Sequence, residues 1–249
     1  MKEVLMGKVA IGQGSPKICV SIVGKDEESC LTQALEIKES QAELIEWRLD
    51  YLIPQFTPAQ IINLGQKVQE VLGDKPLLLT FRSKVEGGES ALKGSAYNQL
   101  YLGLLTAKIG QGIDLEGRFG QSSLEPVIKA ARQANVAIII SYHNFKETPS
   151  QMALVEKILE LEEVGGDLAK IAVMPQKASD VLDLLVVTDQ LNQRLDSQPL
   201  ITISMGELGK ISRLAGGLVG SAITFGGLRT TSAPGQLMVS ELSQWLTPS

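Results

Sequence analysis

The sequence is poor in the residues that build metal sites and disulfide frameworks. Among 249 residues it has two cysteines, Cys19 and Cys30, and one histidine, His143. Two cysteines make no disulfide framework, so the chain reads as a cytoplasmic protein with reduced thiols. Cys19 lies in an apolar, strand-like run and reads as a small core residue. A lone histidine with two separated cysteines builds none of the usual zinc sites; an all-carboxylate magnesium site stays open, but no spacing calls for one, and no metal and no cofactor is expected. Long apolar runs are missing too. No stretch approaches the ~20 residues of a membrane span. The opening MKEVLMGKVAIGQG has neither the apolar core nor the cleavage site of a secretion signal. Basic residues are not in excess: 23 Lys and Arg stand against 28 Asp and Glu, a formal net charge of -5. That excludes a general nucleic-acid binder. It leaves a small anionic substrate open, because a few placed arginines suffice for one.

The chain is 44% hydrophobic and 20% charged, with a mean hydropathy of +0.10, enough to bury a full core. Eight apolar, β-branched runs recur along it, at 17–24, 44–52, 76–83, 112–117, 136–145, 168–175, 199–206 and 221–228. Amphipathic segments lie between them. Thr57-Pro58 and Thr148-Pro149 each place an N-cap residue before a proline at the first helical position. After the first, Ile61, Leu64, Val68 and Val71 make one apolar face and Gly73 a stop. Apolar strands alternating with helices imply a parallel sheet covered by helices. Eight units in this length predict an α/β fold of one domain over 1–249, a closed (β/α)8 TIM barrel. The rival is an open doubly wound sheet, which would need a glycine-rich first turn; the first strand instead runs into GKDEES. The segment VLMGKVAIG predicts an N-terminal hairpin closing the barrel floor.

A charge inside a strand of such a barrel is costly unless it points into a site at the C-terminal mouth. In the second run Glu46, Arg48 and Asp50 share one face and Ile45, Trp47 and Leu49 the other. Such a face reads as a binding wall or as a structural ion-pair ladder. Arg82 sits where the third strand opens into a loop, ahead of Glu86 and two glycines that let the loop bend. Asp114 and Glu116 share a face of the fourth run. His143 ends the fifth, as a structural or a catalytic imidazole. Lys170 is the third residue of the sixth. It either hangs at the floor or points inward, where burial would disfavour its charge and leave an amine able to attack a ketone. Near the end come Ser204-Met205-Gly206, Ser212-Arg213, Thr224-Phe225 and Ser232-Ala233-Pro234-Gly235-Gln236. Glycine-rich loops there bind phosphate or simply turn. Arg213 suits either a carboxylate or a phosphate.

These residues carry a resemblance. E-W-R-x-D at Glu46–Asp50, T-F-R-x-x-x-E-G-G at Thr80–Gly88, His143 followed by Phe145, A-K-I-A at Ala169–Ala172, S-M-G at Ser204–Gly206, S-R at Ser212–Arg213 and S-A-P-G-Q ending at Gln236 occur in this order. Together they resemble type I 3-dehydroquinate dehydratase, the Schiff-base-forming enzyme of the shikimate pathway, from Ile18 to Gln236. The resemblance implies a hydro-lyase that turns 3-dehydroquinate, a carboxylated polyol, into 3-dehydroshikimate. It implies Lys170 as the imine-forming lysine, His143 as general acid/base, Glu86 as the carboxylate that orients it, and Arg213 as the partner of the substrate carboxylate. Glu46, Arg48, Arg82, Ser232 and Gln236 match the shell around the ring hydroxyls and carboxylate, with Ser21 and Phe225 lining the same pocket. It also implies a homodimer. The Ser83-Lys84-Val85 stretch departs from the family's form. Two rivals stand beside this reading: a class I aldolase holding a phosphorylated sugar with the late glycines, and an inactive barrel kept as a binding protein.

Overall fold

The computed structural model describes residues 2–194, 197–229 and 231–246. The chain opens with β1 (Val4–Met6) and β2 (Val9–Ile11), an antiparallel hairpin that pairs Met6 with Val9. Strands and helices then alternate: β3 (Lys17–Ile22), α1 (Glu27–Lys38), β4 (Leu44–Arg48), α2 (Pro58–Leu72), β5 (Leu77–Thr80), α3 (Gly94–Thr106), β6 (Gly112–Glu116) and α4 (Gln121–Gln133). The series continues with β7 (Ala137–Asn144), α5 (Gln151–Glu163), β8 (Leu168–Val173), α6 (Ala178–Asn192), β9 (Leu200–Ser204), α7 (Lys210–Ala215), β10 (Ile223–Gly227), β11 (Leu237–Met238) and α8 (Val239–Leu246). Strands β3 to β9 pair in chain order, all parallel, and β10 pairs with β3. The α/β barrel expected from the sequence is therefore the observed fold. No described helix is long and apolar enough to cross a membrane.

Closure between β9 and β10 is thin. A single bridge joins Leu200 to Ser221 at the floor end, where the Ala222 N–H donates to the Leu200 carbonyl at 2.7 Å. The Ser221 hydroxyl accepts from the Thr202 N–H at 3.1 Å. Toward the mouth the free edge of β10 is taken by β11, pairing Gly226 with Leu237.

The period of two along each strand sorts its buried residues into two cores. Ile45, Trp47, Leu79, Ile113, Ile140, Ile171 and Val173 face the helices. Leu44, Leu78, Ile139, Leu168, Ala172, Ile201 and Ile223 form a second cluster inside the barrel, joined by Met6 and Ile11. The hairpin closes the floor as expected. Met6 leaves no room for a side chain at Gly112, where an added Cβ would lie 2.5 Å from its methyl.

Two local expectations need correction or refinement. Thr57 caps α2 in a reciprocal box with Gln60, as read. Thr148 does not cap α5; Ser150 does, accepting from the Ala153 N–H. The Asn144 side chain is the reason. It accepts from the N–H groups of Lys146 and Glu147 at 2.9 and 3.2 Å, turning the chain there and delaying the helix. The second barrel strand also ends earlier than the charge ladder suggests, so Asp50 lies in a 3-10 turn over Leu49–Tyr51.

Candidate active site

The polar positions of the inner face converge at the C-terminal mouth. Glu46, Thr80, Asp114, Glu116, Ser141 and Lys170 are all buried; Glu46, Thr80, Ser141 and Lys170 stand an even step along their strands from an apolar lumen residue, and Asp114 and Glu116 an even step from Gly112, against which Met6 packs. The register sets Ser141 beside Lys170, and Thr80 beside Asp114. Lys170 thus points inward, which settles the alternative left open by its early place in the strand. Its Nζ donates to Asp114 Oδ2 at 2.9 Å and lies 3.9 Å from Glu46 Oε1. It also sits 4.3 Å over the Phe225 ring. The amine is not in the apolar box that burial alone suggests; two carboxylates and an aromatic face surround it.

Arg82 ties the wall together. It donates to Asp114 Oδ1 at 2.7 Å and to Ser141 Oγ at 2.9 Å, with Glu86 and Glu116 each at 3.4 Å. Arg48 pairs with both oxygens of Asp50 at 2.8 Å, in the two-pronged geometry guanidinium favours. Asp50 in turn accepts from the N–H groups of Arg82 and Glu89, fixing the start and end of the loop that carries Glu86. Glu46 accepts from the Ser21 and Thr80 hydroxyls at 2.6 and 2.9 Å.

His143 Nδ1 lies 2.9 Å from Glu86 Oε2. Burial pushes the Glu86 carboxyl up to about 8 against the pull of Arg82. Burial, reinforced by Arg82 and Lys170, pushes the His143 imidazole well below its ordinary value. The two groups share one hydrogen bond, so their titration belongs to the pair. The ring lines the cavity.

Arg213 stands apart. Its NH1 and NH2 donate to the carbonyls of Phe225 and Pro234 at 3.2 and 3.1 Å. Its Nε is buried without a partner. Burial lowers this guanidinium to about 10, and among the described residues no carboxylate pairs with it. An unmatched buried cation at a cavity wall is a place for an anion. The last segment closes over the site: Ser232 Oγ donates to Ser21 Oγ at 3.0 Å, and Gln236 Nε2 donates to Ser232 Oγ at 3.0 Å.

Ten of the eleven residues expected from the sequence line one cavity of about 50 Å³: Glu46, Arg48, Arg82, Glu86, His143, Lys170, Arg213, Phe225, Ser232 and Gln236. Ser21 reaches it through Glu46 and Ser232. The sequence reading assigned no role to Asp114, although its place on the inner face with Glu116 was the signal for it. The apolar lining from Ile203, Met205 and Ala233 was also unassigned. Three of the late glycines have no free N–H to offer a phosphate. The N–H groups of Gly206, Gly209 and Gly220 already donate to the Pro234, Gly206 and Gly217 carbonyls. A cleft of about 450 Å³ lies between α1 and Leu228–Arg229, but it holds neither a lysine nor a histidine.

Known proteins share this fold and much of this sequence. The family model for type I 3-dehydroquinase matches residues 18–249. The 3-dehydroquinate dehydratases of Salmonella choleraesuis and Salmonella typhimurium are 40% identical to the chain, covering 99% of it and 98% of their own length. Type I 3-dehydroquinate dehydratase from Clostridium difficile, solved with covalently modified comenic acid, superposes with a TM-score of 0.94 at 38% identity, covering 98% of this chain and 96% of that one. The enzyme from Enterococcus faecalis gives 0.90 at 40% identity, with 98% of each chain covered. A lysine, an imidazole and an unpaired guanidinium around one cavity, together with a family match over nearly the whole chain, lead to one conclusion: the chain belongs to the type I 3-dehydroquinase family.

Proposed function

We propose that the chain dehydrates 3-dehydroquinate to 3-dehydroshikimate, a step of the shikimate pathway, through an imine on Lys170. The observation that carries this reading is the placement of Lys170 Nζ in the same small cavity as the His143 ring and the unpaired Arg213. The net first step conserves charge. A lysine ammonium and the C3 ketone give a protonated imine and water, with the N–C bond formed and the C–O bond broken. The cationic imine draws electrons from C2, so His143 removes the C2 proton to leave a neutral enamine. The enamine pushes out the C1 hydroxyl, which leaves as water with the proton His143 took. Hydrolysis of the conjugated imine then frees the product and the lysine.

Glu86 holds the Nδ1 side of the imidazole through this hydrogen bond. Arg213 receives the substrate carboxylate. Glu46, Arg48, Arg82, Ser232 and Gln236 bind the ring hydroxyls and carboxylate, with Ser21 and Phe225 behind them. The aldolase reading loses its support with the occupied glycine N–H groups. Residues 1–249 act as one catalytic domain, working in the cytoplasm as a homodimer; sedimentation of the purified protein at working concentration tests the dimer.

The direct test of the imine is borohydride reduction in the presence of 3-dehydroquinate, followed by intact-mass measurement and peptide mapping. The expected adduct is on Lys170, and it disappears in Lys170→Ala. An adduct on another lysine, or none, sinks the reading.

A further inference from the structure

We infer that Asp114 is a catalytic residue of this reaction: the fixed counter-ion of the Lys170 nitrogen before and after the covalent step. The inference rests on the imine reading above. Asp114 is fully buried and places one carboxylate oxygen on each of two tasks. Oδ2 accepts from Lys170 Nζ at 2.9 Å. Oδ1 accepts from Arg82 NH2 at 2.7 Å and Ser141 Oγ at 2.6 Å. The other carboxylate near the amine, Glu46, is 3.9 Å away and already accepts from two hydroxyls. Asp114 therefore faces the reacting nitrogen, and its own orientation is fixed from behind.

The charge balance gives this placement its meaning. Ammonium plus ketone gives protonated imine plus water, so the nitrogen carries one positive charge on both sides of the step. In a buried site such a charge is costly unless an opposite charge stays beside it. Asp114 meets that need only if it remains ionised. Burial pushes its carboxyl up, but the Arg82 guanidinium and then the Lys170 ammonium outweigh this and hold it well below the carboxylate range. It is accordingly a poor proton acceptor and does not act as the base. Proton traffic is left to His143, and Asp114 supplies a constant field. That field favours the two imine states and opposes the neutral enamine between them, which keeps the intermediate from accumulating at its most reactive point.

The test is Asp114→Asn, which keeps the shape and removes the charge. An opposite charge within ~4–6 Å shifts a titration by about 1–3 units. Losing it should move the acid limb of the kcat/KM pH profile down by about one unit or more. At fixed, subsaturating 3-dehydroquinate, the pH at which the borohydride-trapped fraction begins to fall should also move down by about one unit or more. A purely structural carboxylate would move stability but not the acid limb. A wild-type pH profile of trapping and a wild-type acid limb in the variant overturn the inference, whereas absence of trapping on Lys170 in the unsubstituted protein removes the imine reading itself. Should Asp114→Asn not fold, the unsubstituted protein decides. A trapped fraction that is flat from pH 6 to 8 shows a nitrogen charged on both sides of the step, as a counter-ion requires. A tenfold fall per pH unit shows a nitrogen uncharged at rest and overturns the inference.

Discussion

The barrel interior has two regions built by the same strands, and they differ in kind. Near the floor Leu44, Leu78, Ile139 and Leu168 pack with Met6 and Ile11 of the hairpin. One even step further along those strands stand Glu46, Thr80, Ser141 and Lys170, equally buried. Burial stabilises the first set, at ~1.5–3 kcal/mol for a full aliphatic side chain. It costs the second set, because desolvating ions is repaid only when geometry and hydrogen bonding are good. The floor therefore holds the barrel together, while the mouth is a costly arrangement that stability alone does not explain. Equal burial with opposite energetic sign separates scaffold from site.

Substitutions break the comparison in a definite order. Lys170→Ala should reduce dehydratase activity to background while leaving the floor intact; thermal unfolding and a steady-state assay read the two effects separately. His143→Ala should lower kcat by about 10²–10⁴-fold, the usual contribution of a positioned base, with substrate affinity much less changed. An unaltered kcat would take the imidazole out of the chemistry. Ile11→Ala should do the reverse, costing about 2–5 kcal/mol of stability in urea unfolding with kcat/KM preserved. Arg213→Ala should weaken binding of carboxylated ligands by roughly 10–100-fold, from the ~1.5–3 kcal/mol of a charge-assisted hydrogen bond; calorimetric titration with a carboxylated product analogue reads it, and equal affinity refutes the clamp.

The smallest effect is a slope. The folded Glu86 carboxyl is raised to about 8, against about 4.3 in an unfolded chain. The folded state thus binds a proton that the unfolded state has released, and stability falls as pH rises through that window. Above about pH 7 the lowered His143 no longer opposes this, since both states then hold it neutral. Between pH 7 and 8 the protein should lose stability that Glu86→Gln does not lose, and parallel slopes would place the raised carboxyl elsewhere.

Much of the site was legible because a parallel barrel makes polar strand residues conspicuous. Glu46, Lys170 and His143 interrupt apolar runs, and the period of two alone sends them inward. The eight strands and the floor hairpin were readable for the same reason. What was missed depends on registers that one strand does not contain. Asp114 was seen on the inner face, but its meeting with Lys170 depends on how β6, β7 and β8 align. The carboxylates beside Lys170 were missed on that same point. Thr148 had the local features of a cap and lost the helix start to Asn144, whose side chain turns the backbone sooner. The early end of β4 at Arg48 left the Arg48–Asp50 pair intact, because a 3-10 turn returns the carboxylate to the guanidinium.

The β9–β10 seam is the least continuously paired side of the cylinder. Seven of its eight joints are continuous ladders, and this one is a floor-level bridge plus a serine hydroxyl, widened above by the stave Leu237–Met238. The stave belongs to the same stretch as Pro234, whose carbonyl orients the Arg213 guanidinium. Displacing this stave would take with it the carbonyl that orients Arg213 and bare the free edge of β10, while the ladders that carry Lys170 and His143 keep their pairing.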